Sequence, residues 1–283
     1  MEEQERAAGL SRREFAVLTT LAAAGGSAAC ANAQPATSSV EVEIKTPDGV
    51  CDGVLIHPAS QGSWPGVLVW PDAFGLRPTF RQMGARLASE GYAVLVVNQF
   101  YRSRKPPIFP EGLSNSDPSF RPLLMELRKP LTQEAVMRDG AAMIAFLDAQ
   151  RVVNTKVKAG VVGYCMGGAM TMQTAAAVPG RVGAGCSFHG GQLVTDRPDS
   201  PHLLVPKLKA AYYFGIASDD DEKEPQAKDV LRQAFAAAKL PAKIEVYAGA
   251  KHGWAVPDSR VYNKPDAERA WSEMTALYKS ALV

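Results

Sequence analysis

Apolar and polar positions along this chain fall into two kinds of segment. Short apolar runs at 67–70, 93–97, 157–162, 182–188, 211–216 and 244–247 carry few charges, as strands buried on both faces of a sheet do. Longer helix-like stretches at 80–90, 132–150, 169–177 and 226–239 lie between them, and 266–282 closes the chain. The opening is different. Segments 40–46 and 50–57 flank Pro47-Asp48-Gly49, a turn signal that predicts a β-hairpin. Strand and helix then alternate, which predicts an α/β fold with a mostly parallel sheet covered by helices on both faces.

Two connections interrupt that rhythm. Segment 103–130 contains Pro106, Pro107, Pro110, Pro118, Pro122 and Pro130, too many for one continuous helix. Segment 189–206 holds Gly190, Gly191 and Ser200-Pro201-His202. Loops this long are lids, binding elements or disordered. Both leave carboxyl ends of strands, where open α/β sheets bind their ligands. They are expected to wall a pocket and set substrate choice.

Composition narrows the class of partner. Of 283 residues, 46% are hydrophobic and 21% charged, values of a globular chain that can enclose one α/β core. A formal net charge of +2 without basic runs argues against nucleic acid and anionic membrane partners. The first residues read differently from the core. Arg12-Arg13 precedes an apolar stretch at 16–24 and a small-residue exit ending Ala31-Asn32-Ala33, which resembles a twin-arginine export signal. The expected organisation is a signal at 1–33, a linker at 34–39 and a single domain at 40–283. The export machinery is then a transient partner, and the mature chain is periplasmic or secreted and off the membrane. Ser27-Ala28-Ala29-Cys30 is a poor lipobox, so a lipid anchor on Cys30 is the lesser alternative.

The chemistry is carried by Gly163-Tyr164-Cys165-Met166-Gly167, directly after the run 157–162. A strand that turns sharply into a helix presents the central residue of such a pentapeptide above the sheet, and the flanking glycines relieve the clashes. A cysteine there sits at a helix N-terminus, which favours the nucleophilic thiolate. Once Cys30 leaves with the signal, Cys51, Cys165 and Cys186 remain. That odd count leaves a free thiol in an oxidising compartment. No cysteine pair has metal-ligand spacing and no CxxC occurs. The base and acid follow the nucleophile in this kind of fold. Of four histidines, His252 lies on a loop before the last helix, whereas His57 precedes the elbow and His189 and His202 come one element too early. Asp219, Asp220 and Asp221 follow the run 211–216, and any of them could orient His252.

These residues resemble the dienelactone hydrolase family, thiol-dependent α/β-hydrolases, from about Val40 to the C-terminus. The matching motifs are Trp70-Pro71-Asp72-Ala73-Phe74-Gly75, Gln99-Phe100-Tyr101-Arg102, the cysteine elbow and His252-Gly253. The resemblance implies an α/β-hydrolase fold and a triad of Cys165, His252 and Asp220. It implies that Asp72 stands where the family has a glutamate that holds the resting thiol, and that Arg102 binds a substrate carboxylate. The family's second carboxylate-binding arginine falls on Val256. The fold implies backbone amides of Ala73 and Met166 as the oxyanion hole. Phe74, Tyr164, His189 and Trp254, adjacent to these motifs or heading the 189–206 connection, are expected to line the pocket.

The implied reaction is hydrolysis of a small ester or lactone through a thioester, with no metal or organic cofactor required. Three other uses of the same residues stay open: a thiol acyltransferase or thioesterase, a non-catalytic binder of a small ligand, and a redox sensor built on Cys165.

Overall fold

The computed structural model describes residues 35–283. The export signal expected at 1–33 lies outside the described residues. The hairpin pairs β1 (Thr37–Thr46) with β2 (Gly49–Pro58), Thr46 facing Gly49 across the turn. β1 thus begins inside the stretch expected as linker. Strands β3 (Gly66–Trp70), β4 (Ala93–Val97), β5 (Ala159–Tyr164), β6 (Val182–Phe188), β7 (Ala211–Ala217) and β8 (Ala242–Tyr247) complete one sheet, ordered β1-β2-β4-β3-β5-β6-β7-β8. β2 runs antiparallel to β1 and β4, and all other neighbours are parallel. This is the α/β-hydrolase arrangement.

Alternation of side chains along buried strands feeds two apolar layers. Leu68 and Val161 point into one, with Ile144 of α3 (Gln133–Asp148), Met172 of α4 (Gly167–Ala177) and Phe235 of α6 (Ala227–Ala237). Val69 and Val162 point into the other, with Phe80 of α1 (Pro78–Ser89) and Met274 of α7 (Lys264–Ala281). Burying side chains such as Phe80, Met172 and Phe235 contributes about 1.5–3 kcal/mol each. Helix starts follow local chemistry: Thr132 accepts from Ala135 N at 3.2 Å to cap α3, and Asn263 accepts from Asp266 N at 3.3 Å to cap α7.

The proline-rich connection is more structured than its composition predicts. It forms α2 (Phe120–Arg128), with Pro122 confined to the first turn, where its missing N–H has no intrahelical partner to lose. Phe120 and Leu127 then close a third apolar cluster with Phe100, Ile108 and Phe109. The acidic run also becomes helical, as the single turn and a half of α5 (Ser218–Lys223), with aspartates in its first turn.

Arg102 sits at the foot of this arrangement. Its guanidinium donates to both carboxylate oxygens of Asp139 at 2.7 and 2.8 Å and to Asp48 at 2.5 Å. Asp139 is 1% exposed and also accepts from the Tyr101 hydroxyl at 2.7 Å. Removing the guanidinium leaves a carboxylate buried without its charge partner. Arg102→Ala is expected to lower the unfolding free energy by about 3–5 kcal/mol. The paired substitution Arg102→Met with Asp139→Leu should recover most of that loss in a urea titration. Equal losses in both proteins would show that the ion pair is not the source.

Candidate active site

The elbow exists because β5 and α4 approach more closely than any side chain allows. A Cβ on Gly163 would stand 2.0 Å from the Gly167 carbonyl oxygen, and one on Gly167 would stand 2.4 Å from that of Trp70. Between them Cys165 is forced to φ +53°, a left-handed conformation that is costly for a residue with a side chain. Its amide donates to Phe188 O at 3.0 Å and to His189 Nδ1 at 3.1 Å, which ties the strained residue to the end of β6. The thiol is half-buried, at the N-terminus of α4.

His252 reaches the thiol from the loop after β8. Its Nε2 lies 3.2 Å from Cys165 Sγ and its Nδ1 lies 2.7 Å from Asp220 Oδ2. The neighbouring aspartates divide the remaining work. Asp219 Oδ1 accepts the His252 backbone amide at 2.8 Å, whereas Asp221 pairs with Lys228 at 2.6 Å. One side chain thus fixes the ring and the next fixes the main chain that carries it. Burial pulls the His252 pKa down, but hydrogen bonds to Asp220 and Cys165 and their charges outweigh it and raise the value from 6.5 to about 10.

The loop after β3 is braced separately. Gln99 is fully buried, and its Nε2 donates to the carbonyls of Pro71 at 3.2 Å and Asp72 at 2.7 Å. The Asp72 carboxylate accepts the Phe74 amide at 2.9 Å and two bonds from Arg77 at 2.7 and 2.9 Å. Arg77 continues to Asp258 at 2.7 and 2.8 Å, joining this loop to the segment beyond His252. Asp72 is therefore held by a guanidinium, and the thiol's partner is His252; the expected contact between Asp72 and the thiol is not made. The shorter aspartate reaches Arg77 and its own loop instead. Among the described residues, nothing accepts the amide of Ala73 or of Met166, which leaves both free to donate.

Residues 51–282 match the profile of the dienelactone hydrolase family. The chain belongs to the dienelactone hydrolase family. It is 28% identical over 234 residues to a Synechocystis protein provisionally named carboxymethylenebutenolidase, a match covering 81% of this chain and 92% of that protein. It is 25% identical over 225 residues to the carboxymethylenebutenolidase of Rhodococcus opacus, covering 79% and 83%. A crystal structure of a Klebsiella pneumoniae protein, described provisionally as a dienelactone hydrolase, superposes with a TM-score of 0.75 at 23% identity, over 86% of this chain and 99% of that one. This dienelactone hydrolase family member is accordingly a hydrolase of the α/β-hydrolase superfamily.

Within this family member, the residues expected around the pocket divide. Arg102 is committed to Asp139 and Asp48, because a buried carboxylate requires its charge, so it is a structural cation rather than a substrate contact. Tyr164 is 3% exposed and packs between Phe80 and Phe188, since alternation at the end of β5 turns it into the α1/α7 layer. Trp254 has no exposed surface and stacks on Tyr247 at 4.2 Å. His189 is also buried, behind Cys165. Phe74 is half-buried, stacked on Phe120 at 4.7 Å against the third cluster. A cleft of about 110 Å³ opens alongside Met166, lined by Arg128, Gln133, Gln173, Gln192 and Arg197. Both long connections contribute to it. Arg77 and Asp258 have no motif to mark them and lie 181 residues apart in the chain; Gln99 stands in a matched motif, but its bracing of the loop after β3 shows only in the fold.

The two site histidines should affect stability with opposite signs. The raised pKa of His252 gives stability that is complete below 6.5 and lost as pH rises through about 10. Burial, followed by the nearby His252, pushes His189 well below 6.5, so the unfolded chain takes up a proton there that the folded chain refuses, and stability falls as pH drops below 6.5. Thermal unfolding of the wild type and His252→Gln should therefore converge toward pH 10. A gap that stays constant across that window would contradict the assignment.

Proposed function

We propose that the chain hydrolyses small carboxylic esters or lactones through Cys165, His252 and Asp220. The observation that carries this reading is the line Sγ–Nε2–Nδ1–Oδ2, with spacings of 3.2 and 2.7 Å on the two sides of one imidazole. His252 is protonated at neutral pH, and its Nε2 faces the sulfur. The thiolate attacks the carbonyl carbon, forming a C–S bond while the π pair moves to oxygen, facing the amides of Ala73 and Met166. Collapse breaks the C–O bond, and the departing alkoxide takes the proton from His252 Nε2. Neutral His252 then removes a proton from water as its oxygen attacks the thioester. Breaking the C–S bond returns thiolate and imidazolium and releases the acid.

Asp220 keeps Nδ1 protonated and directs Nε2 to the sulfur, the orienting role of the third member of such triads. Esters and lactones are favoured over amides, because a thiolate is a better leaving group than an amine and the tetrahedral species formed from an amide reverts. A neutral or weakly acidic substrate fits the polar cleft beside Met166, walled by the two long connections. The paired arginines at 12 and 13 support the reading of an exported enzyme acting outside the cytoplasm.

Hydrolysis of p-nitrophenyl acetate and a panel of lactones tests the scheme. Cys165→Ala and iodoacetamide should each abolish turnover in a folded protein, and activity surviving both would remove the thiol from the mechanism. Asp220→Asn should lower kcat by about 10³–10⁴-fold, the scale set by losing the correct tautomer, while Asp221→Asn changes it little. Activity should also fall as pH rises through about 10, where His252 loses the proton that the alkoxide needs. A rate still climbing past that pH would assign the acid elsewhere.

A further inference from the structure

Two imidazoles approach one thiol, and their surroundings make them unlike. His189 follows β6 at φ +40°, a left-handed conformation rare for a residue with a side chain. Its backbone amide donates to Gly215 O at 2.7 Å, which fastens the end of β6 to β7, the strand leading to Asp219 and Asp220. The side chain is 1% exposed. Nδ1 lies 3.1 Å from the Cys165 amide. That amide can only donate, so Nδ1 offers its lone pair and the ring proton sits on Nε2. Nε2 is itself buried and meets no partner among the described residues.

The ring of His189 also stands against the presumptive base. Its centroid is 5.0 Å from that of His252, with the planes at 68°. Tyr164 at 6.2 Å and Trp254 at 6.5 Å complete its aromatic surroundings. Asp220 and Cys165 hold His252 at opposite nitrogens, which leaves rotation about the line joining them as the free motion. An edge-to-face neighbour opposes that rotation.

We propose that His189 is a positioning residue, which pins the amide of the strained nucleophile and buttresses the face of His252 so that Nε2 stays on the sulfur. The proposal rests on the assignment of Cys165, His252 and Asp220 made above. The titratable groups that face His189 are Cys165, Tyr164 and His252, with Asp219 and Asp220 beyond His252. Among the described residues no carboxylate bonds to it. Burial therefore keeps it uncharged, and this matters because a second imidazolium 5.0 Å away would repel the proton that His252 holds.

Two measurements test this. His189→Asn keeps a side-chain acceptor and tolerates a positive φ, but it removes the ring. In folded protein, confirmed by thermal unfolding, it should lower kcat for p-nitrophenyl acetate by about 10–100-fold, the scale of a small misplacement of a reacting group. KM should change little, and the alkaline limb of the rate should move below about 10. Wild-type kcat and an unmoved limb in His189→Asn, with turnover still lost in Cys165→Ala, would overturn this inference alone. Absence of Cys165-dependent turnover in the wild type would overturn the assignment beneath it, and the inference with it. The second measurement needs no variant. Long-range ¹H–¹⁵N correlation of the imidazole nitrogens in wild-type protein should show His189 with its proton on Nε2 and still neutral at pH values where an ordinary histidine has taken up a second proton. A His189 carrying its proton on Nδ1, or titrating near 6.5, would refute it.

Discussion

A strand has to become a helix at Cys165 within the space left by two glycines, and the rest of the site is arranged around that constraint. The turn stores its strain in one left-handed residue. That residue keeps its conformation because its amide is held from the end of β6 and its neighbours pack against the end of β3 without intervening side chains. The same geometry sets the sulfur at a helix N-terminus. In the proposed mechanism, nucleophile and oxyanion donor are thus consequences of one close approach of backbone to backbone.

Charge is distributed so that each acid near the site has its own short hydrogen-bonded contact. Asp220 holds the imidazole, Asp219 the main chain of the same residue, Asp221 a lysine, and Asp72 an arginine that also reaches Asp258. Charge-assisted bonds of this kind are short and directional, and here they join segments distant in sequence. Arg77 couples the loop carrying the Ala73 amide to the loop beyond His252, so the two loops share one frame. Arg102 does comparable work beyond β4, where Asp139 would otherwise be a buried charge without compensation.

The walls of the site follow a different logic. The two long connections are anchored differently, one on a small cluster of its own around Phe109 and Phe120, the other by Leu193, Leu204 and Val205 packing into the main core beside the 3₁₀ segment Pro201–Lys207. Between them lies a cleft with glutamine and arginine side chains beside Met166. Loops on a rigid scaffold can change in sequence without disturbing the sheet, so substrate preference can vary while the elbow and its partners stay in place.

The sequence by itself determined the sheet, because each central strand is buried on both faces and must be a short apolar run. It determined the elbow as well, because only glycine fits where β5 meets α4, and it named His252 through the order in which such folds supply their residues. It placed the acid only within a run of three aspartates; α5 separates them, since successive helical residues point in different directions and only Asp220 meets Nδ1. The roles of Asp72, Arg102, Tyr164, Trp254 and His189 were decided by the tertiary structure alone. Adjacency to a motif says nothing about which way a side chain faces or which distant ion it must neutralise, and contacts such as Arg77 with Asp258 or Arg102 with Asp139 form only when the whole sheet is assembled.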